Sequence, residues 1–311
     1  MTYLGFDTSN YTTSVAAVDG TDYKSNRLIL PVKEGERGLR QSDALFHHTK
    51  NIGGLFEQLE FSDVKAIGVS TRPRNVEGSY MPVFLAGEAF ARGIAKALNV
   101  PLYSFSHQDG HIMAGIFSGN AECLLKDKFI SVHLSGGTTE LLSSEFDGGN
   151  FKNEIIGATK DISAGQFIDR TGVHLGLKFP CGRELEQLAL GTLKSDIKGT
   201  LKLPVCENDG YVSFSGVETK VKSMTDTVEA PLIARAVLQN VAITLCRAIN
   251  SAIEKTGINK ILIVGGVASN SILREEFKNK LRGQVYFASP ELSTDNAVGV
   301  ALLAQLMYKG H

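Results

Sequence analysis

Residues 3–20 read YLGFDTSNYTTSVAAVDG: an apolar run, a turn of small hydroxyl residues, a second apolar run and a closing Asp19-Gly20. Residues 128–149, KFISVHLSGGTTELLSSEFDGG, repeat that order of strand, Gly/Ser/Thr turn, strand and Asp-Gly. Apolar runs bounded by such turns read as hairpins. Two hairpins of one design half a chain apart read as an internal duplication. A second pair supports it, because residues 64–98 and 258–281 each run from a buried strand through a loop into an amphipathic helix.

Strands alternating with helices imply an α/β chain whose mixed sheets are covered on their faces. Two lobes are expected, at 1–125 and 126–311, with the helical stretch 293–309 packing back on the first lobe. Ligand would bind in the cleft between lobes. Between the duplicated parts lie helical patterns at 41–59 and 161–177 and a long one at 230–257.

Hydrophobic residues make up 43% and charged residues 21% of the 311, with 32 basic against 33 acidic side chains. That is the balance of a globular protein, and it leaves room for a local basic groove. Residues 27–41 and 126–129 are basic in places, which also suits a solvated face. Cys123, Cys181, Cys206 and Cys246 are too scattered for a zinc cage or disulfide framework, so a reducing cytoplasm is expected. No basic-then-apolar leader is visible and no apolar run reads as membrane-spanning, so no membrane association is expected.

The turns at 7–14 and 134–140, with VGGVASN at 264–270, offer backbone N–H groups and hydroxyls at strand ends and helix starts. Such groups cradle phosphate, which makes a nucleotide the leading ligand. His107-Gln108-Asp109-Gly110-His111 places two imidazoles at i and i+4, about 5–6 Å apart at Cβ if helical. Alone, that spacing fits two polar residues on a helix face as well as two metal ligands. The glycine between them costs helix stability. Asp295, expected to open a helix, is a candidate third ligand, and equally a carboxylate favoured by the helix dipole.

Taken together, HQDGH, LSGGTTELL, SAGQFIDRTGVHLGLKFPCG, VSFSGVETKV, LIVGGVASNSILRE and LSTDNAVGVALLA resemble, in order from residue 3 to about 305, the tRNA threonylcarbamoyladenosine synthase (TsaD) family, formerly described as glycoproteases. The resemblance implies a duplicated, actin-like two-lobed fold of the sugar kinase and heat-shock ATPase superfamily. It implies one divalent metal ion on His107, His111 and Asp295, with iron or zinc suiting two imidazoles and a carboxylate better than magnesium. It implies an adenine nucleotide or acyl-adenylate pocket at Leu134, Ser135, Gly136, Gly137 and Thr138, with Asp169 at the ribose, Gly182 at a close backbone approach and Asn270 on the base side. The implied reaction is transfer of a threonylcarbamoyl or carbamoyl group from an adenylate to the N6 amine of an adenosine in tRNA. The implied partners are the adenylate, tRNA, and a TsaB-like paralogue or a second copy of the chain.

The chain departs from the family pattern within the pocket. The family's acidic pair after the first strand is replaced at Tyr11 and Thr12, and its Gly-Pro-Gly loop is Arg72-Pro73-Arg74. Thr138 and Glu140 replace His and Gln, Gln166 replaces Glu, and Cys181 interrupts Pro-Gly-Gly. Asp7, Arg72 and Arg74 are therefore the candidates for groups acting on the substrate, since arginine forks suit phosphate or carboxylate. This is the pattern of a divergent paralogue. A non-catalytic nucleotide-binding paralogue that regulates a true synthase is the alternative, and a metallopeptidase is disfavoured because the motif lacks the Glu of H-E-x-x-H.

Overall fold

A computed structural model describes residues 1–9, 11–31, 39–191 and 201–310. Asn10 and the centre of the basic stretch 27–41 lie outside the described residues. The chain divides into two compact units, one of Met1–Lys126, Glu145–Lys152 and Glu291–His311, the other of Asp127–Ser144 and Asn153–Pro290.

The first unit begins with the strands β1 (Thr2–Asp7), β2 (Thr12–Asp19) and β3 (Asp22–Ile29), then helix α1 (Gln41–Glu57), β4 (Val64–Arg72), α2 (Phe84–Leu98), β5 (Leu102–Ser106) and α3 (His107–Ser118). The second carries β6 (Phe129–Leu134), β7 (Thr139–Phe146), β8 (Phe151–Ala158), α4 (Ala164–His174), α5 (Gly182–Gly191), β9 (Glu207–Asn208), β10 (Tyr211–Val212), α6 (Ser215–Lys222), α7 (Ala230–Thr256), β11 (Lys260–Val264), α8 (Ser271–Lys280) and β12 (Gln284–Phe287). Helix α9 (Val298–Lys309) ends the chain and belongs to the first unit.

The duplication read from the two hairpins is borne out in the strand orders, β3-β2-β1-β4-β5 and β8-β7-β6-β11-β12. In each, the hairpin pair is antiparallel, β1 with β2 and β6 with β7, and the crossover strands are parallel, β1-β4-β5 and β6-β11-β12.

Side chains alternate across a strand, so each face of the first sheet has its own chemistry. Leu4, Phe6, Ile67 and Val69 point to one face and join Ile52 of α1 with Ala91 and Ala95 of α2. On the other face Gly5 and Gly68 sit side by side in register. A Cβ on Gly5 would lie 2.2 Å from the Ala297 carbonyl oxygen, and one on Gly68 would lie 2.1 Å from that of Val300. The two glycines therefore make a bare strip on which the start of α9 rests backbone to backbone.

In the second unit Ile130, Val132, Leu141, Ile261 and Ile263 pack against Phe167, Leu185, Phe277 and the buried face of α7. Gly257 ends α7 in the left-handed region at φ 71°, a conformation glycine adopts freely. Helix α7, at 27 residues, is long and apolar enough by composition to cross a bilayer, contrary to the reading that no such run exists; 72% of its apolar window is buried in this unit, which accounts for the composition.

Candidate metal and nucleotide sites

Helix α3 starts at His107 because Ser106 caps it. The Ser106 hydroxyl accepts the Asp109 N–H at 3.0 Å, and the Asp109 carboxylate accepts the Ser106 N–H at 3.1 Å, so two orphan donors of the first turn are satisfied reciprocally. His107 and His111 then fall on one face, their ring centroids 4.4 Å apart and their planes at 75°. Gly110 is where α9 crosses α3, and a Cβ on Gly299 would stand 1.9 Å from the Gly110 carbonyl oxygen.

That crossing delivers Asp295 to the histidines. Asp295 Oδ1 lies 3.2 Å from His111 Nε2 and 3.6 Å from His107 Nε2, and the donor atoms of all three residues lie within 4.8 Å of one another. Tetrahedral ligands at bond lengths of ~2.0–2.1 Å are about 3.3 Å apart, so this donor set fits one ion with little movement. Asp295 does not open a helix as its sequence context suggested. It sits in a turn three residues before α9, because the Asn296 amide donates to the Leu292 and Thr294 carbonyls while its oxygen accepts the Val298 N–H. Arg27 of β3 pins the same turn, donating to the Glu291 carbonyl at 3.1 Å and to the Thr294 hydroxyl.

Asp7 completes the arrangement from the end of β1. Its Oδ2 is 2.8 Å from His107 Nδ1 and accepts the Ser70 hydroxyl at 2.5 Å, while Oδ1 accepts the Ser9 N–H at 2.8 Å. A carboxylate on the far nitrogen of a histidine fixes the tautomer that leaves Nε2 free to ligate. Burial opposes charge on His107, but the carboxylate of Asp7 and the hydrogen bonds of Asp295 and Asp7 prevail and raise its pKa to about 10. Burial likewise works against the two carboxylates, yet His107 holds Asp7 below the usual carboxylate range, and His107 and His111 together hold Asp295 well below it.

Arg72 ends β4 and Arg74 lies on the loop after it. The Arg72 guanidinium is already engaged, donating from Nε at 3.0 Å and Nη2 at 2.6 Å to the Asn75 amide oxygen, and from Nη1 to the Thr71 hydroxyl. The Arg74 N–H donates to the Ser79 hydroxyl at 3.1 Å.

The residues assigned to an adenylate lie in the second unit, linked helix by helix. The turn after β6 closes through the Ser135 N–H on the Thr138 carbonyl and the Thr138 N–H on the Ser135 hydroxyl. It is held to the start of α4 by the Ser163 hydroxyl donating to the Gly136 carbonyl at 2.7 Å. Asp169 of α4 accepts the Cys181 N–H at 2.8 Å just before α5, where Gly182 is the first residue. Glu186 of α5 accepts the Ser271 N–H at 2.6 Å, beside Asn270, whose side chain caps α8. Leu134 belongs to the same cluster, because Gly265, at φ 99°, brings its Cα so close that a Cβ would lie 2.2 Å from the Leu134 carbonyl oxygen. Burial, then Asp169 and Glu184, pushes the Cys181 thiol up to about 11, which disfavours the nucleophilic thiolate.

Sequence reasoning did not reach Ser70, Asn75, Asp109 or Gly299. Only Asp109 carried a local signal, the Ser106-x-x-Asp109 capping pattern.

Two mixed sheets of one strand order, with helices on their faces, define the actin-like ATPase and sugar-kinase class of fold. The chain is similar over 99% of its length, at TM-score 0.55 and 17% identity, to the activator of 2-hydroxyisocaproyl-CoA dehydratase from Clostridium difficile with bound ADPNP, 96% of which is covered. It is similar over 98% of its length, at TM-score 0.54 and 14% identity, to a ROK family glucokinase from Streptomyces griseus in complex with glucose and AMPPNP, 99% of which is covered. Full-length HypF in its phosphate- and nucleotide-bound form matches at TM-score 0.60 and 16% identity over 99% of this chain, which spans 55% of HypF. Within this class, residues 41–302 match the family described as TsaD, tRNA N6-adenosine threonylcarbamoyltransferase. The protein of that name from Borrelia garinii subsp. bavariensis is 32% identical over 329 residues, covering 99% of this chain and 92% of the relative. The one from Borreliella afzelii is 31% identical with 99% and 90% covered. The chain belongs to the TsaD family of transferases.

Proposed function

We propose that the chain transfers a threonylcarbamoyl group from its adenylate to the N6 amine of an adenosine in tRNA, using one divalent metal ion held by His107, His111 and Asp295. The observation that carries the metal is the donor triangle, its three atoms within 4.8 Å of one another and backed by Asp7 on His107. Two imidazoles and a carboxylate favour iron or zinc over magnesium. When bound, such an ion polarises a carbonyl or phosphoryl oxygen of the donor.

The chain's own residues do the remaining work. Asp7 orients His107, Asn296 and Arg27 hold the turn that carries Asp295, and the 135–138 turn with Asp169, Gly182 and Asn270 binds the adenylate. In the transfer, the adenosine amine forms a C–N bond to the carbamoyl carbon, the bond from that carbon to the phosphate oxygen breaks, and AMP leaves with the electron pair while the amine gives up a proton. Tyr11, standing where the family has an acidic residue, favours a second reading in which the chain binds adenylate but regulates a paralogue instead of transferring. Partners would be tRNA and a TsaB-like paralogue or a second copy of the chain, and the setting cytoplasmic.

Metal analysis and mass spectrometry of molecules copurifying with the protein test the first half of this proposal. Iron or zinc near one per chain with an adenine nucleotide supports it; a preparation with neither metal nor affinity for threonylcarbamoyl-adenylate refutes it. Complementation of a strain lacking the synthase separates the two readings, because a regulator cannot restore the modified adenosine.

A further inference from the structure

The loop that replaces the family's Gly-Pro-Gly is wired to the helix bearing the histidines. The Asn75 amide uses its full capacity there. Its oxygen accepts two bonds from the Arg72 fork, and its nitrogen donates to Asp109 Oδ2 at 2.5 Å and to the Phe151 carbonyl at 3.3 Å. Two lone pairs and two protons are all a carboxamide has, so its orientation is fixed: turned over, it would set protons against the guanidinium and oxygen against the carboxylate. Asp109, fully buried, is the capping-box partner of Ser106 at the start of α3 and lies between the two histidines. The loop backbone adds a second tie, the Pro73 carbonyl accepting the Gln108 N–H of the first turn at 3.1 Å.

We propose that Arg72 and Asn75 are positioning residues for the metal ligands. The Arg72 fork fixes the Asn75 amide, the amide fixes Asp109, and Asp109 with Ser106 fixes where α3 starts and hence where His107 and His111 stand. Arg72 serves here as a brace, with Nε, Nη1 and Nη2 each donating inside the protein, and the Arg72-Pro73-Arg74 loop with Asn75 is a structural device at the metal helix. This inference rests on the metal reading given above.

Zinc affinity, from competition with a chromophoric chelator, and the d–d spectrum of the cobalt-substituted protein test it on the full chain. Asn75→Asp keeps a partner for Arg72 but sets two carboxylates against each other; zinc affinity is expected to fall about 10- to 100-fold, the range for lost outer-shell support. The sign is diagnostic, because an added carboxylate acting through charge alone would tighten zinc binding. Tighter or unchanged binding in Asn75→Asp, or a lower metal-free Tm with unchanged affinity, overturns the proposal. If Asn75→Asp does not fold, Arg72→Met decides: a several-fold loss with an altered cobalt spectrum supports positioning, and wild-type values refute it. Failure of the wild-type protein to bind zinc or cobalt sinks the metal reading itself, whereas normal wild-type binding with indifferent variants sinks only this inference.

Discussion

Gly299→Ala is the substitution that the helix crossing makes most costly. An added Cβ would stand 1.9 Å from the Gly110 carbonyl oxygen, 2.6 Å from its carbon and 2.9 Å from its Cα, all backbone atoms with no rotamer to relieve them. To reach 3.0 Å, below which such contacts are essentially never found, α3 and α9 must part by about 1 Å. Helix α9 cannot yield freely, since its start rests on the bare strip of Gly5 and Gly68. Overpacking of this kind costs about 1–3 kcal/mol, and the backbone-to-backbone clash puts Gly299→Ala at ~3 kcal/mol, a large share of the ~5–15 kcal/mol that stabilises a domain. The same 1 Å moves Asp295 away from His107 and His111, so zinc affinity should fall at least about tenfold, as when a ligand's support is lost. Gly110→Ala is the control. Its Cβ would meet a Val300 methyl at 3.2 Å, a strain of a few tenths of an ångström, while alanine favours the helix by about 1 kcal/mol over glycine. Its stability should stay within ~1 kcal/mol of wild type. Urea denaturation of the metal-free proteins with chelator competition for zinc gives both numbers. Gly299→Ala as stable as wild type, or Gly110→Ala the worse of the two, would refute the crossing argument.

Asp7→Asn removes the carboxylate facing His107 Nδ1 and should cost about 10- to 100-fold in zinc affinity, with the circular dichroism spectrum unchanged. In the metal-free protein the raised pKa of His107, about 10, contributes stability that is full below the unfolded value of ~6.5 and is lost as pH rises through 10. Thermal melts should therefore show a Tm falling between pH 7 and 10, and a flat profile contradicts the assignment. Asp161 accepts from the Ser213 hydroxyl, the Phe214 and Ser215 N–H groups and the Ser215 hydroxyl, so Asp161→Ala should destabilise the protein by about 1–2 kcal/mol in urea, the cost of a lost cap. Iodoacetamide at pH 8 should label exposed Cys123 and Cys206 well before buried Cys181 and Cys246, whose thiols burial raises to about 11 and about 12; peptide mapping reads the order.

What the sequence disclosed and what it hid divide along one physical line. The hairpins were legible because strand, turn and strand are local patterns, and the histidine pair was legible because i and i+4 share a face of any helix. The partner of His107 was not, since Asp7 lies 100 positions away and meets it only through the parallel pairing of β1, β4 and β5. Asn75 was hidden in the same manner, its amide reaching a carboxylate 34 positions on. The glycines show most plainly why. Read locally, Gly110 weakens a helix and Gly5 and Gly68 weaken strands. Each is instead the place where the backbone beginning α9 touches an element from the front of the chain, at Ala297, Val300 or Gly299. A side chain at Gly5 or Gly68, or at Gly299 facing Gly110, would lift the segment that Asp295 leads into. The absence of a side chain, which has no periodicity to read, is thus what brings the third ligand to the other two.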